Sequence, residues 1–147
     1  AIVDYAHTPD ALQNVLSHAR VFAKDRLIVV FGCGGDRDTA KRPVMGKIAA
    51  SLADVVIVTS DNPRSEDPRE IIDEISRDLK ADAQSFNGST GYEIITNRQA
   101  AIVRALKIAT ADDCVVVAGK GHEDYQIIGN DVSHFDDKAE IKKALAC

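Results

Sequence analysis

Three short apolar runs stand out along the chain: LIVVF at Leu27–Phe31, VVIVT at Val55–Thr59 and CVVVA at Cys114–Ala118. Runs of this length, rich in β-branched residues, are typical of strands that are buried on both faces of a parallel sheet. Two shorter segments, Ile2–Ala6 and Tyr92–Thr96, predict two further strands. The hydrophobic pattern therefore predicts a sheet whose central strands are covered on both sides.

Between these runs, apolar residues recur every three or four positions, which is the pattern of a helix with one buried face. The first predicted helix carries Leu12, Val15, Leu16 and Ala19 on one side. Residues that favour a helix start precede or open each segment. The expected helices run from Thr8 or Asp10 to about Ala23, from a first turn containing Pro43 to about Leu52, onward from Pro68, onward from Asn97, and from Asp136 or Asp137 to about Leu145.

The alternation of strands and helices predicts βαβ units, whose right-handed crossovers place helices on both faces of the sheet. Residues 82–91 are expected to form a loop. Tyr125–Ile128 and Val132–Phe135 are expected to pair as a hairpin across the turn dipeptide Gly129-Asn130. The expected fold is one α/β domain over residues 1–147, a Rossmann-like three-layer domain with a mainly parallel sheet and a C-terminal β-hairpin.

Polar residues collect directly after the three buried runs. Ligands of open parallel sheets bind beyond the carboxyl ends of the strands, so a binding site is expected in these loops. The loop sequences are GCGGDRDTAKR at Gly32–Arg42, SDNPRSED at Ser60–Asp67 and GKGHED at Gly119–Asp124. The third is not a P-loop, because Gly121 stands where a Ser or Thr must follow the Gly-Lys pair.

Two of these loops contain an arginine, Arg37 or Arg64, whose planar guanidinium suits carboxylate or phosphate. Asp61 and Glu123 add carboxylates that can accept hydrogen bonds from an ammonium group. Taken singly, each loop also fits an ordinary turn with solvated charges, such as an Asx-turn at Asp61. Taken together, the loops favour a site for a small zwitterionic or anionic ligand.

The 147 residues include 18 Lys and Arg against 23 Asp and Glu, a net charge of −5. An acidic domain is a poor general binder of nucleic acid, because binding phosphate requires a basic surface. No apolar run approaches the ~20 residues of a membrane span. Cys33, Cys114 and Cys147 have neither zinc-site nor disulfide spacing, so we expect no metal site, reduced thiols and a cytoplasmic location.

The loops, in this order, resemble the C-terminal domain of the Mur ligase family, and in particular of its diaminopimelate-adding members. The resemblance covers essentially the whole chain. It rests on DYAHTP at Asp4–Pro9, FGCGGDRD at Phe31–Asp38, Lys41–Pro43 with Met45-Gly46, DNPR at Asp61–Arg64, and AGKGHEDYQ at Ala118–Gln126. It implies the last domain of a three-domain enzyme. The N-terminal and central domains, not in this chain, would hold the UDP-N-acetylmuramoyl-dipeptide, ATP and Mg²⁺.

The resemblance also implies roles for individual residues. Asp4, Tyr5 and His7 match a segment that approaches the nucleotide when the domains close. In the family's reaction, ATP converts a peptide carboxylate into an acyl phosphate, which the amine of the incoming amino acid attacks. The isolated domain is therefore expected to hold no cofactor and to be inactive. The residues implied to bind meso-diaminopimelate are Arg37, Asp61, Asn62, Pro63, Arg64, Gly119 and Glu123.

Two other kinds of function remain open from the sequence. One is a stand-alone module that binds an amino acid or a nucleotide without chemistry. The other is a related ligase that adds lysine or recycles whole peptides. The DNPR loop argues against lysine, because a buried guanidinium selects for a distal carboxylate that lysine lacks.

Overall fold

The computed structural model describes residues 1–79 and 83–147. Its five-stranded sheet has the order β1-β5-β2-β3-β4, and every neighbouring pair is parallel. A separate antiparallel hairpin, β6 with β7, follows near the C-terminus. The strands are β1 (Ile2–Asp4), β2 (Leu27–Phe31), β3 (Val55–Val58), β4 (Gly91–Ile94), β5 (Cys114–Ala118), β6 (Tyr125–Ile128) and β7 (Asp131–His134).

The helices begin largely where the sequence predicts. The side chains of Thr8, Asp67, Asn97 and Asp136 each accept a hydrogen bond from a backbone N–H of the following first turn. Such caps satisfy N–H groups that have no partner inside the helix. The described helices are α1 (Pro9–Phe22), α2 (Lys41–Leu52), α3 (Pro68–Ser76), α4 (Arg98–Ile108) and α5 (Asp137–Leu145).

The sheet separates two apolar layers. On one face, β-strand side chains pack with α1, α2 and α3. On the other face, alternate residues of the same strands pack with α4 and α5. Every residue of β2, β3 and β5 is buried, as the unbroken apolar runs predict. The predicted three-layer α/β fold and its C-terminal hairpin are confirmed.

A few boundaries differ from the predictions for local reasons. Strand β1 stops at Asp4, because the Asp4 carboxylate accepts a hydrogen bond from the N–H of Ala6 at 2.8 Å and turns the chain. In the hairpin, Ile128 pairs with Asp131, so the second strand begins one residue earlier than expected. Strand β4 likewise includes Gly91, the last residue of the expected loop, whose first residue lies outside the described part of the chain.

A buried ion pair stabilises the carboxyl edge of the sheet. The guanidinium of Arg98 donates to both carboxylate oxygens of Asp137 at 2.8 and 2.7 Å, and both side chains are fully buried. The same guanidinium donates to the carbonyl of Ala118, at the end of β5, at 3.2 Å. This network fixes α4 and α5 relative to the strand ends from which the loops emerge.

None of the helices in the described ranges has the length and apolar character that crossing a bilayer requires.

Candidate amino-acid-binding cleft

The loops that follow β1, β2, β3 and β5 meet at the carboxyl edge of the sheet and enclose a cleft of about 350 Å³. Eight of the ten predicted site residues line it; Asp4 and Pro63 do not. The cleft is lined by Tyr5, His7, Gly34, Arg37, Lys41, Asp61, Asn62, Arg64, Gly119, Glu123 and Tyr125.

Arg64 is held by its backbone and by one guanidinium nitrogen. Its N–H donates to the carbonyl of Ile127 at 3.1 Å, and its carbonyl accepts from the N–H of Gly129 at 2.6 Å. Its Nη1 donates to the carbonyl of Gly35 at 2.9 Å. No described carboxylate forms an ion pair with this half-buried guanidinium, so its other N–H groups are available to an acidic ligand.

Arg37 faces the same cleft from the loop after β2. Its Nη1 donates to the carbonyl of Asp36 at 2.9 Å, and its side chain is exposed. Within residues 1–79 and 83–147 it has no carboxylate partner. The structure therefore brings together two cationic forks from loops that are separated in sequence.

Close approach of the two arginine loops depends on glycine. A Cβ on Gly35 would lie 1.8 Å from the carbonyl oxygen of Pro63, and only glycine avoids that overlap. The N–H of Gly35 also donates to the carbonyl of Asn62 at 2.8 Å. Pro63 thus belongs to the framework of the cleft and does not line it.

Asp61 and Asn62 are nearly inaccessible residues, at 7% and 4% exposure. Both contact Lys120, whose Nζ lies 2.9 Å from Asn62 Oδ1 and 3.0 Å from Asp61 Oδ1. Sequence reasoning considered Lys120 only as part of an incomplete phosphate loop. No local signal identifies its partners, because they lie on a distant loop.

Glu123 and Gly119 also line the cleft. Glu123 is partly exposed, and its backbone N–H donates to the carbonyl of Lys120 at 2.9 Å. Gly119 has φ of 118°, and a Cβ there would lie 2.9 Å from Asp61 Oδ2. Glycine at this position therefore permits the positive φ and avoids a clash with the Asp61 carboxylate.

The segment after β1 forms an aromatic cluster at one end of the cleft. The Tyr5 ring lies 4.5 Å from the His7 ring and 5.3 Å from the His122 ring, measured between centroids. Lys41 Nζ donates to the carbonyl of His7 at 2.8 Å and joins this segment to the loop after β2. Sequence reasoning did not single out His122, which approaches Tyr5 only through the fold.

Arg42, from the basic pair Lys41-Arg42, is structural. It is fully buried and donates to both oxygens of Glu66, each at 2.9 Å, and to Glu74 at 3.1 Å. Its hydrogen bonds hold the pKa of the Glu66 carboxyl below its ordinary value. Glu66 also accepts from the N–H of Asp36 at 2.7 Å, so this pair fastens the two arginine loops together.

The described residues provide neither a cluster of metal ligands nor an accessible lysine after Gly119 for a nucleotide phosphate. In the described part of the chain, no three His, Cys, Asp or Glu side chains converge as metal ligands. Lys120, the residue that would face a phosphate in a P-loop, is buried among protein acceptors.

The fold and cleft together define a Rossmann-like α/β domain with a charged cleft at the carboxyl edge of its sheet. Open sheets of this type bind ligands at the same edge. Residues 1–121 match the family described as "Mur ligase, glutamate ligase domain". The chain therefore belongs to the Mur ligase family.

Two similar curated proteins carry the same name. A UDP-N-acetylmuramoyl-L-alanyl-D-glutamate–2,6-diaminopimelate ligase from Clostridium tetani is 54% identical over 144 residues. A ligase of the same name from Synechocystis sp. is 51% identical over 144 residues. Each alignment covers 98% of this chain but only 28% and 27% of the relative. The chain thus spans a little over a quarter of the length of these relatives.

Solved structures give the same picture. A structure of a UDP-N-acetylmuramoyl-L-alanyl-D-glutamate–2,6-diaminopimelate ligase superposes with a TM-score of 0.86 at 45% identity. The superposition covers 98% of this chain and 28% of the chain in that structure. Escherichia coli FolC, solved with ADP, superposes with a TM-score of 0.56 at 21% identity over 82% of this chain and 26% of that one, which indicates a shared fold only.

Proposed function

We propose that this chain is the C-terminal, amino-acid-binding domain of an ATP-dependent ligase in peptidoglycan biosynthesis. The full-length ligase would add meso-diaminopimelate to UDP-N-acetylmuramoyl-L-alanyl-D-glutamate in the cytoplasm. The observation that carries this proposal is the pair Arg37 and Arg64, which line the same cleft as Glu123 and have no described carboxylate partner. The names of the relatives support the same substrate.

The proposed role of the cleft is to hold and orient the incoming amino acid. Diaminopimelate has two carboxylates and two amino groups. Guanidinium forks bind carboxylates through paired, charge-assisted hydrogen bonds, and Glu123 would accept from an ammonium group. The amine that remains free would then face the acyl phosphate made from ATP in the other domains. Orientation of this kind removes much of the entropic cost of a reaction between two molecules.

Segments beyond this chain would supply the chemistry. ATP, Mg²⁺ and the UDP-linked dipeptide would be bound by the N-terminal and central domains, and Asp4, Tyr5 and His7 would face the nucleotide on domain closure. We therefore expect the 147-residue chain alone to show neither ATP hydrolysis nor ligation. Turnover by the purified chain would contradict this division of labour.

The substrate assignment is tested by Arg64→Ala in the full-length ligase. Hydrogen bonds to charged groups are worth about 1.5–3 kcal/mol, so the KM for diaminopimelate should rise about 10- to 100-fold. The KM for ATP should change little. Arg69→Ala is the matched control, because Arg69 is an exposed arginine outside the cleft. Steady-state kinetics with each substrate varied in turn gives both constants. Equal changes in the two KM values would count against the proposal.

A lysine-adding relative is the second candidate, and the cleft disfavours it. Lysine has one carboxylate, so one of the two guanidinium groups would remain unpaired in its complex. Leaving a partly buried charge without a partner is costly. Lysine offered in place of diaminopimelate should be a poor substrate, and comparable kcat/KM values for the two amino acids would favour the alternative.

A further inference from the structure

Lys120 is a fully buried cation that does not line the cleft. Its Nζ donates to Asn62 Oδ1 and to the carbonyl of Tyr125, both at 2.9 Å, and lies 3.0 Å from Asp61 Oδ1. An ammonium group has three N–H donors, and three protein oxygens surround this one. Because the Lys120 side chain is inaccessible to a ligand, any influence on binding must act through its partners.

One consequence of this arrangement is electrostatic. Asp61 Oδ1 is buried and has no hydrogen-bond partner among the described residues, so the ammonium of Lys120 is its counter-ion. The Asp61–Lys120 pair is neutral as a unit. The remaining charges that line the cleft are Arg37, Lys41 and Arg64 against Glu123, so the cleft is net positive. A positive cleft disfavours a net cationic amino acid such as lysine relative to the doubly zwitterionic diaminopimelate.

The second consequence is geometric. Asn62 Oδ1 also accepts from the N–H of Ile127 at 3.0 Å, so one amide oxygen joins Lys120 to strand β6. That hairpin in turn holds the backbone of Arg64 through Ile127 and Gly129. Lys120 is thus linked by two successive hydrogen bonds to the segment that orients the Arg64 guanidinium.

Resting on the function proposed above, we propose that Lys120 is a positioning residue that sets the preference of the ligase for diaminopimelate over lysine. It does so without touching either amino acid. It neutralises Asp61, which lines the cleft, and fixes the loop that carries Arg64. No phosphate contact is required for this role.

The test compares Lys120→Met, Asp61→Asn and the double variant in the full-length ligase. Lys120→Met uncovers the negative charge of Asp61, so the ratio of kcat/KM for diaminopimelate to that for lysine should fall by about tenfold. Asp61→Asn leaves the cation of Lys120 without a counter-ion, so the same ratio should rise. The double variant removes both charges, and its ratio should return towards the wild-type value. The KM for ATP should remain within about twofold of wild type throughout, because these residues act on the amino-acid site.

The direction of these changes separates positioning from a purely structural role. Loss of structure alone would lower activity with both amino acids. It would also change the ratio of the two kcat/KM values in the same direction in both single variants. If Lys120→Met fails to fold, Asp61→Asn and the double variant still test the proposed role of Lys120. The double variant is expected to fold, because removing both members of a buried pair is often tolerated. An unchanged ratio, or a shift of Asp61→Asn towards lysine, overturns the inference. A wild-type ligase that does not use diaminopimelate instead refutes the proposed function itself.

Discussion

Arg64 has a backbone conformation that is unusual for a residue with a side chain. Its φ is 51°, in the left-handed region that favours glycine. The hairpin imposes this conformation, because the Arg64 N–H donates to the carbonyl of Ile127 and the Arg64 carbonyl accepts from the N–H of Gly129. A non-glycine residue there costs about 1–2 kcal/mol of stability. Holding Arg64, the residue proposed to select the substrate, in this conformation therefore lowers local stability, as is common at functional sites.

This strain leads to a prediction about two substitutions at one position. Arg64→Gly should be about 1 kcal/mol more stable than Arg64→Ala, because glycine adopts the left-handed conformation without the Cβ penalty. Both variants lack the guanidinium and should bind diaminopimelate equally poorly. Urea denaturation of the two variants measures the difference in the free energy of unfolding. A glycine variant that is less stable than the alanine variant would show that the backbone at Arg64 is not strained.

At the scale of elements, helices α2 and α3 are in close contact at Gly46. A Cβ built on Gly46 would lie 2.2 Å from the carbonyl oxygen of Ile75 in α3. Arg42 and Glu74 join the same two helices by an ion pair of 3.1 Å. Their contact therefore fixes the loop after β2, which carries Arg37, against the loop after β3.

Gly46→Ala should consequently destabilise the protein, although alanine is the better helix former by up to ~1 kcal/mol. The added methyl must push α3 away, and such overpacking typically costs about 1–3 kcal/mol. Ser51→Ala, an exposed substitution in the same helix, should be neutral or slightly stabilising. Thermal unfolding of both variants checks the sign, and a gain in melting temperature for Gly46→Ala would contradict the close contact.

The elements were more predictable from sequence than the side-chain partners in the cleft. β2 and β5 were predicted to the residue, because an apolar run flanked by polar residues marks its own ends. The cap at Asn97 was predicted equally well, because capping is a local interaction. Arg42 and Arg64 both belong to polar segments that follow buried strands, yet Arg42, in the first turn of α2, is paired with Glu66, whereas Arg64 faces the cleft. Only the fold distinguishes them, because the partners are distant in sequence.

For the molecule as a whole, an acid-sensitive ion pair stabilises the amino edge of the sheet, which lies opposite the cleft. The buried Asp113 carboxylate accepts hydrogen bonds from the side chain of Arg26 at 2.7 and 3.2 Å and from its N–H at 2.9 Å. These hydrogen bonds lower the pKa of Asp113 from 3.8 to about 2. Arg26 and Asp113 directly precede β2 and β5, the central strands that support the cleft.

The free energy of unfolding should depend on pH through this carboxylate. Its folded-state pKa is depressed, so its contribution is present above about pH 4 and is lost as the pH falls towards 2. That contribution is about 2 kcal/mol. Asp113→Asn should therefore be clearly less stable than wild type at pH 7, and the gap should narrow at pH 3 and below. Asp112→Asn is the exposed control. Denaturation curves across this range measure the gap, and a constant gap would argue against the depressed pKa.

The strand order also dictates when the cleft can exist during synthesis. β5 is made after β1 to β4 but lies between β1 and β2, so a nascent chain without it leaves β1 with no sheet neighbour. Lys120 and the hairpin that grips Arg64 emerge from the ribosome later still. At about 5–20 residues per second, the first half of the chain waits several seconds for these partners. The binding region is therefore among the last parts to assemble. Until then the unpaired strand edges are exposed to pairing with other chains, which leads to aggregation.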